Sequence, residues 1–343
     1  MRILITGVHG FVGSNLVEAL KKDHIIYGLD IVFPMKEGVR FTFSWDYLDK
    51  PNEIPDVDAI IHLAGKAHDT KNQSAADVYF KVNTGLTQKI FDWFLKQPKC
   101  KKFIFFSTAK AAADKVDGIL TEDVVPAPVG PYGESKIKAE NYILSKFKEF
   151  NGLNSSNDKE FSNSQILDEK KTFNLEPLTL NQSKSVYIFR PCMIHGPGNK
   201  GNLNLLYNVV RRGIPWPLGA FENRRTFTSV ENICFAVNGV LTNDVPSGIY
   251  NMGDDEALST NELIEEICRS LGKRAHIWRL PKGLMNGFAK LGDTLHLPLN
   301  SERLRKLTEN YISSNEKIKK ALGIEKFPVD AHTGLQRTLK SFR

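Results

Sequence analysis

The sequence predicts an α/β fold, in which a doubly wound parallel sheet is joined to a smaller C-terminal α/β lobe. Short apolar strand patterns alternate with amphipathic helix patterns from Arg2 to about residue 149. Three glycines at spacings of three separate the first strand from the first helix, and an aspartate ends the second strand. These observations predict helices on both faces of the sheet and a ligand at the carboxyl ends of its strands.

The first glycines carry the most specific local prediction. An apolar strand over Arg2–Thr6 is followed by Gly7, Gly10 and Gly13, and an amphipathic helix is predicted over Ser14–Lys21. Gly7 allows a tight turn, Gly10 lets the backbone approach a pyrophosphate, and Gly13 lets the helix pack on the strand. The helix N-terminus attracts the pyrophosphate, so the segment predicts a Rossmann-type dinucleotide site.

An acidic residue lies where such a site binds the adenosine ribose. Asp30 ends the predicted strand Ile25–Leu29 and stands 17 residues after Gly13. A carboxylate there accepts hydrogen bonds from both ribose hydroxyls and repels a 2′-phosphate, which favours NAD over NADP. Neither Ile31 nor Val32 supplies a cation to offset that repulsion.

A second motif combines a tyrosine and a lysine. Tyr132 and Lys136 are four residues apart, so on a helix they share a face. The ammonium and a positive nicotinamide would lower the pKa of the phenol, giving a general base for an alcohol or a general acid for a ketone. The predicted fifth strand, Phe103–Phe106, ends in Ser107 and Thr108, whose hydroxyls could hydrogen-bond the reacting oxygen.

Taken in order, these motifs resemble the extended short-chain dehydrogenase/reductase superfamily, and within it the NAD-dependent nucleotide-sugar epimerases and dehydratases. The resemblance implies catalytic roles for Tyr132, Lys136, Thr108 and Ser107, with Thr108 the better match to the catalytic Ser/Thr. It implies an NAD site built from Gly7, Gly10, Phe11, Val12, Gly13, Asp30, Ile31, Leu63, Ala64, Gly65, Asn83, Tyr132, Lys136 and Pro191.

The same resemblance implies where the substrate binds. Arg225 resembles the arginine that grips the diphosphate of a nucleotide sugar, and Arg303 or Arg305 is a candidate second cation. Asn202 and Lys110 are further candidate substrate contacts. Lys110 is equally open to the interpretation of a surface lysine.

A narrower resemblance, to UDP-sugar 4-epimerases and 4-ketoreductases of bacterial polysaccharide synthesis, implies the reaction. The favoured interpretation is 4-epimerisation through a transient 4-keto sugar, and the alternative is reduction of a 4-keto-6-deoxy sugar. Ala109 and Lys110 follow Thr108 where similar dehydratases place an Asp-Glu pair, which argues against dehydration. A non-catalytic dinucleotide sensor is disfavoured because both Tyr132 and Lys136 are present.

Composition agrees with an ordinary globular enzyme. Of 343 residues, 41% are hydrophobic and 25% charged, and the net charge of +7 is interpreted as dispersed, with no nucleic-acid motif. His62 and His68 lack metal-ligand spacing, so no metal site is predicted, and His62 is expected to pack at the end of the fourth strand. No segment has the length of a membrane span, the short N-terminal apolar run is not a signal peptide, and four cysteines without a C-x-x-C pair indicate reduced thiols in the cytoplasm.

The predicted organisation has two parts. Residues 1–194 form the NAD-binding domain, and residues 195–343 form mainly a substrate-binding lobe interleaved with it. The lobe is predicted to contain a helix near Asn204–Arg212, a strand at Arg224–Arg225 and a helix over Thr260–Leu271. Residues 150–183 are rich in Asn, Ser and charge and form an insertion, interpreted as a surface loop or as a lid or partner-contact arm. The superfamily resemblance also implies a homodimer through the helix that carries Tyr132.

Overall fold

A computed structural model describes residues 1–67, 75–152, 184–199, 201–295 and 300–343. Its strands are β1 (Arg2–Thr6), β2 (Ile25–Leu29), β3 (Val39–Phe43), β4 (Ala59–His62), β5 (Lys102–Phe106), β6 (Ile119–Leu120), β7 (Ser185–Pro191), β8 (Met193–His195), β9 (Phe227–Ser229), β10 (Gly248–Met252) and β11 (Ile312–Ser313). Its α-helices are α1 (Phe11–Leu20), α2 (Ala76–Tyr79), α3 (Leu86–Lys96), α4 (Ala109–Ala112), α5 (Pro131–Phe150), α6 (Asn202–Arg211), α7 (Val230–Thr242), α8 (Thr260–Ser270), α9 (Lys282–Leu295), α10 (Ser301–Thr308), α11 (Glu316–Leu322) and α12 (Ala331–Lys340).

The main sheet has seven parallel strands in the order β3-β2-β1-β4-β5-β7-β10. The chain moves outward from β1 in one direction through β2 and β3, then returns to the other side of β1 through β4. A crevice therefore opens between β1 and β4 at their carboxyl ends, the position at which doubly wound sheets bind nucleotides. This order confirms the predicted Rossmann-type fold.

Successive side chains of each strand point to opposite faces of the sheet and pack into two hydrophobic cores, one on each face. Ile3 and Ile5 pack in the cluster that receives α1 and α7, whereas Leu4 packs in the cluster that receives α3 and α5. Apolar residues at consecutive strand positions are thus all buried, as expected for a parallel sheet covered on both sides.

The C-terminal lobe has a core of its own. Apolar side chains from α6, α8, α9, α10 and α12 form one cluster that includes Leu203, Tyr207, Ile267, Met285, Leu304 and Leu339. Helix α8 begins with a capping box, in which Ser259 and Glu262 each bond the other's backbone N–H. Among the described residues no helix is both long and apolar enough to cross a membrane.

Predicted element bounds shift at several places. The first helix begins at Phe11 rather than Ser14, because the backbone turns helical directly after Gly10. The Arg224–Arg225 strand is wrong as predicted: Arg225 makes isolated bridges with Leu258 and Tyr311, and the strand β9 starts at Phe227. The helices at 202–211 and 260–270 differ from their predicted bounds by one or two residues. His68 and nearly all of the 150–183 insertion lie outside the described residues.

Helix α5 provides a direct test of the packing. The Phe147 side chain is 0% exposed in the core beneath α5, whereas Phe150, on the same helix, is 44% exposed. Phe147→Ala should lower the free energy of unfolding by about 3–5 kcal/mol, because the side chain leaves a buried cavity. The matched control Phe150→Ala should change it by less than about 0.5 kcal/mol. Equal shifts of the two urea midpoints would contradict this packing.

Candidate active site

The turn after β1 is packed too tightly for side chains at its glycines. Gly7 has φ of +68°, and the Gly10 N–H donates to its carbonyl oxygen at 3.0 Å. A Cβ on Gly13 would lie 2.4 Å from the Gly7 carbonyl oxygen and 2.9 Å from Val8 Cα, so only glycine fits there. Phe11 and Val12 begin α1 and are half-buried, so the turn runs directly into a helix N-terminus. This confirms the predicted strand–turn–helix arrangement.

Asp30 lies at the carboxyl end of β2, beside the turn. Its carboxylate accepts hydrogen bonds from the backbone N–H of His9 at 3.0 Å and of Ile31 at 2.7 Å. The Ile31 side chain is 78% exposed. These bonds fix the carboxylate and leave it free to accept further donors.

A cation near Asp30 was not predicted. Lys36 donates from Nζ to the Ser14 hydroxyl in α1 at 2.5 Å, and burial lowers its pKa although Glu18 and Asp30 act in the opposite direction. Neither of the two residues that follow Asp30, Ile31 and Val32, is a cation. The loop before β3 brings a charge back to the same place.

The end of β4 is held by a chain of buried polar groups. The Thr6 hydroxyl accepts the N–H groups of Leu63 and Ala64 at 3.1 and 3.0 Å, and lies 2.7 Å from His62 Nδ1. His62 Nε2 lies 2.9 Å from the Thr87 hydroxyl. Burial lowers the pKa of His62 well below its usual value, so the ring stays neutral. His62 packs at the end of β4, as predicted.

Asn83 connects this edge to α5. It lies in a π-helical segment, Phe80–Gly85, a local widening of the helix that is frequent at functional sites. Its amide accepts from the Lys66 N–H at 2.7 Å and donates to the Ser135 hydroxyl at 2.9 Å. A Cβ on Gly65 would lie 2.9 Å from Asn83 Oδ1 and 3.1 Å from Lys136 Nζ. The lack of a side chain at Gly65 lets these groups approach.

Tyr132 and Thr108 come together as predicted. The Thr108 hydroxyl lies near the Tyr132 phenol, and the Tyr79 ring packs edge-on against Tyr132 at 6.4 Å between centroids. Burial raises the pKa of Tyr132, and the nearby Thr108 hydroxyl only partly opposes that rise. The predicted lowering of this pKa by Lys136 together with a positive nicotinamide stays a prediction, because among the protein's own groups burial has the largest effect.

Lys136 is buried below Tyr132 on the same helix. Its ammonium donates to the Phe106 carbonyl oxygen at 2.8 Å and lies 4.9 Å from the centre of the Phe105 ring. Burial lowers its pKa to about 8, against the opposing effect of Glu140. At neutral pH the lysine is still largely protonated, so it holds a positive charge next to Gly65 and the crevice.

Ser107 has a different partner from the one predicted. Its hydroxyl donates to Glu140 Oε1, and Glu140 forms an ion pair with Arg190, whose Nη2 lies 2.6 Å from Oε2. The two charged side chains are 0% and 2% exposed. The catalytic assignment of Ser107 is therefore corrected to a structural one, and Thr108 is the hydroxyl at Tyr132. Neither Glu140 nor Arg190 was assigned a role from sequence, because their pairing spans 50 residues.

The candidate substrate contacts are spread more widely. The half-buried Arg225 donates from Nη1 to the Lys306 carbonyl oxygen, and burial lowers its pKa. Asn202 and Arg303 are exposed in the first turns of α6 and α10. Lys110 is exposed and bonds Asp114 at 2.8 Å, which favours the surface alternative. Pro191 ends β7 and is buried.

The chain matches known proteins over most of its length. Residues 3–157 match the family model described as "NAD dependent epimerase/dehydratase family". A UDP-glucose 4-epimerase of Vibrio cholerae is 28% identical over 81% of this chain and 78% of its own. An Escherichia coli O157:H7 protein, N-acetyl-alpha-D-glucosaminyl-diphospho-ditrans,octacis-undecaprenol 4-epimerase, is 24% identical over 98% of this chain and 94% of its own.

A solved structure shares the fold. MoeE5 in complex with UDP-glucuronic acid and NAD superposes with a TM-score of 0.70 at 19% identity, covering 100% of this chain and 99% of that one. At that identity the likeness establishes the architecture described above.

The buried charge of Lys136 has a measurable effect on stability. Its pKa is about 8 in the folded protein and about 10.5 when unfolded, so between these values the unfolded chain binds more protons. Stability from this group therefore rises as the pH increases from about 8 to 10.5. Lys136→Met should be more stable than the unchanged protein below pH 8, and the difference should shrink toward pH 10.5 in urea titrations.

Lys138, exposed on the same helix, provides the matched control. Lys138→Met should give no pH-dependent difference over the same range, because its ammonium stays in water. A Lys136→Met difference that does not change with pH would contradict the burial of a charged Lys136.

Proposed function

We propose that this chain, whose residues 3–157 match the NAD-dependent epimerase/dehydratase family model, is a nucleotide-sugar 4-epimerase. The observation that carries this proposal is the placement of Thr108, the Tyr132 phenol and the Lys136 ammonium together at the crevice, beside the glycine turn that leads into α1. The substrate class is a UDP-hexose or UDP-N-acetylhexosamine.

NAD fits the crevice between β1 and β4. The glycine turn and the start of α1 would hold its pyrophosphate, Asp30 its adenosine ribose, and Lys136 with Gly65 the nicotinamide end. When bound, the cofactor supplies reversible hydride acceptance, which the side chains of the protein cannot provide.

The protein's own groups move the proton. Tyr132 takes the proton of the sugar 4-hydroxyl while that carbon is oxidised, and returns it when the resulting 4-keto sugar is reduced. The Thr108 hydroxyl shares the proton and orients the oxygen. The Lys136 ammonium and the positive nicotinamide of bound NAD would supply the charge that stabilises the phenolate.

Epimerisation requires the 4-keto sugar to rotate within the site, so that its opposite face meets the cofactor. The diphosphate then acts as the fixed point, with Arg225 as its proposed cation and Asn202 and Arg303 as further contacts from the lobe. Reduction of the opposite face of the carbonyl gives the 4-epimer, with the cofactor regenerated in every turnover.

A 4-ketoreductase is the alternative, because it uses the same three side chains. It differs in consuming one NADH per sugar. Dehydration is disfavoured because Ala109 follows Thr108 and Lys110 is engaged by Asp114. We also propose that the protein forms a homodimer through α5. We propose that it is located in the reducing cytoplasm, which is supported by four cysteines that are all free.

One assay separates the two reactions. UDP-N-acetylglucosamine, UDP-glucose and UDP-glucuronic acid are incubated with the protein and NAD, and the C4 configuration is followed by NMR. In parallel, NADH absorbance is followed with a UDP-4-keto-6-deoxy-hexosamine. Formation of a 4-epimer without net change in NADH supports the epimerase. Stoichiometric loss of NADH, with no 4-epimer formed from the three sugars, overturns it in favour of the reductase.

Tyr132→Phe should reduce turnover at least about hundredfold, because the proton of the 4-hydroxyl loses its acceptor. Bound NAD, released by denaturation and quantified, should remain. Tyr142→Phe is the matched control, since Tyr142 lies on the same helix and bonds Asp92 at 2.6 Å. It should keep its turnover. Full activity of Tyr132→Phe would sink the mechanism.

Asp30→Ala should weaken NAD binding about tenfold, because hydrogen bonds to a charged acceptor are lost. NADP binding should improve relative to NAD, since Lys36 remains near the vacated carboxylate. Adding Lys36→Ala should remove that improvement, and Asp46→Ala, an exposed carboxylate paired with Lys50, should change neither affinity. The affinities of the unchanged protein and the three variants for NAD and NADP are measured by titration of intrinsic fluorescence. An unaltered ratio of the NAD and NADP affinities in Asp30→Ala would refute the role of Asp30.

A further inference from the structure

Helix α9 exposes an apolar stripe that nothing in the proposed reaction uses. Leu284, Phe288, Leu291 and Leu295 are 49, 51, 51 and 57% exposed. Their spacings of four, three and four place them within about 60° of arc around the helix axis. Trp278, just before the helix, is 54% exposed as well. Isolated exposed apolar residues are ordinary, but an aligned row of large ones indicates an interaction surface.

The stripe is distinct from the side of α9 that faces the core. Met285, Ala289 and Gly292 are the buried residues of the helix, and Met285 and Ala289 pack in the lobe cluster with Leu304 of α10. The helix is therefore already anchored to the lobe without its stripe. The exposed leucines and phenylalanine do not contribute to that core.

Positive charge is concentrated around this helix. Residues 273–306 contain eight Lys and Arg and two Asp and Glu, which is a net charge of +6 out of +7 for the whole chain. Most of the 46 Lys and Arg lie elsewhere in the chain, so the net charge of this segment comes from its small number of acidic residues. The basic residues of this segment are Lys273, Arg274, Arg279, Lys282, Lys290, Arg303, Arg305 and Lys306.

Four of these basic residues are exposed at the surface before and along α9. Arg274, Arg279, Lys282 and Lys290 are all exposed. The two acidic residues of the segment have local roles, since Asp293 bonds Ser301 and Glu302 pairs with Lys306. An apolar stripe with an exposed tryptophan, in a segment with an excess of cations, matches the surface of an anionic bilayer, where apolar side chains enter the headgroup boundary and cations meet lipid phosphates.

We propose that α9, with the segment from Lys273 to its start and with α10, forms a docking surface for anionic phospholipid membranes. The helix lies in the plane of the interface, with the four-residue stripe and Trp278 toward the acyl chains. This surface adds a location to the proposed enzyme and does not depend on which reaction it catalyses.

Vesicle flotation of the full chain tests the proposal. Vesicles of phosphatidylcholine mixed with phosphatidylglycerol should carry the protein to the top of a density gradient, whereas pure phosphatidylcholine vesicles should carry much less. High salt should release it, because surface charges are screened. Absence from the anionic vesicles, or equal binding to both kinds, would overturn the proposal.

Two pairs of variants locate the contact. Phe288→Ser with Leu291→Ser should reduce vesicle binding at least about tenfold, because two inserting side chains are lost. Phe41→Ser removes an equally exposed phenylalanine from β3 and should bind as before. Lys282→Ser with Lys290→Ser should weaken binding to the anionic vesicles, whereas Lys96→Ser with Lys101→Ser, which removes two exposed charges elsewhere, should not.

A second copy of the chain is the competing occupant of the stripe. Sedimentation velocity of the unchanged protein and of Phe288→Ser/Leu291→Ser distinguishes the two. Dissociation of an oligomer by this double variant, with vesicle binding unchanged, overturns the membrane proposal. Loss of vesicle binding with an unchanged sedimentation coefficient supports it. Turnover of a water-soluble nucleotide sugar is measured on the same samples. Loss of this activity would contradict the proposed reaction without bearing on the membrane proposal.

Discussion

The buried ion pair between Arg190 and Glu140 fixes the geometry on which the site depends. It joins α5 to β7, and the hydroxyl of Ser107 ties the same carboxylate to the end of β5. Breaking such a pair by removing one partner costs about 3–5 kcal/mol, because a charge is left buried alone. Lys136 lies one helical turn before Glu140, so the depth and rotation of α5 that this pair sets also place Lys136 and Tyr132 against Thr108.

The electrostatics of the site follow from that placement. Burial raises the pKa of Tyr132 and lowers that of Lys136 to about 8, so both residues are held away from their ordinary protonation equilibria. Taken separately, each shift opposes the charged form. The proposed phenolate therefore needs a positive charge beside it, and Lys136, on the same face of α5, is the proposed source. The Glu140 carboxylate, already compensated by Arg190, keeps Lys136 protonated near neutral pH without entering the crevice.

The site residues that could be predicted from sequence belong to short motifs, in which the spacing of neighbouring residues indicates the role of each. Gly13 was predictable because it lies in a glycine turn too tight for a Cβ, and Tyr132 and Lys136 because they share one face of a helix. The roles of Glu140, Arg190 and Thr6 depend on partners that are distant in sequence. Glu140 is 50 residues from Arg190 and 33 from Ser107, and Thr6 is 56 residues from His62. Polar pairs of this kind have no period along the chain. Ser107 was misassigned for this reason, since a hydroxyl beside Thr108 does not reveal which of the two faces the phenol.

The exposed apolar stripe of α9 could not be distinguished from a buried one by sequence. The leucines and phenylalanine of α9 have helical spacing that fits a core-facing stripe equally well, and only the fold shows that Met285 and Ala289 occupy that face instead. An exposed row of this size is a liability in water, because it promotes association between chains. Its retention beside six of the seven net positive charges is most simply explained by a partner that offers both an apolar boundary and negative charge. A bilayer surface offers both, whereas the core of an ordinary dimer interface is depleted of charge.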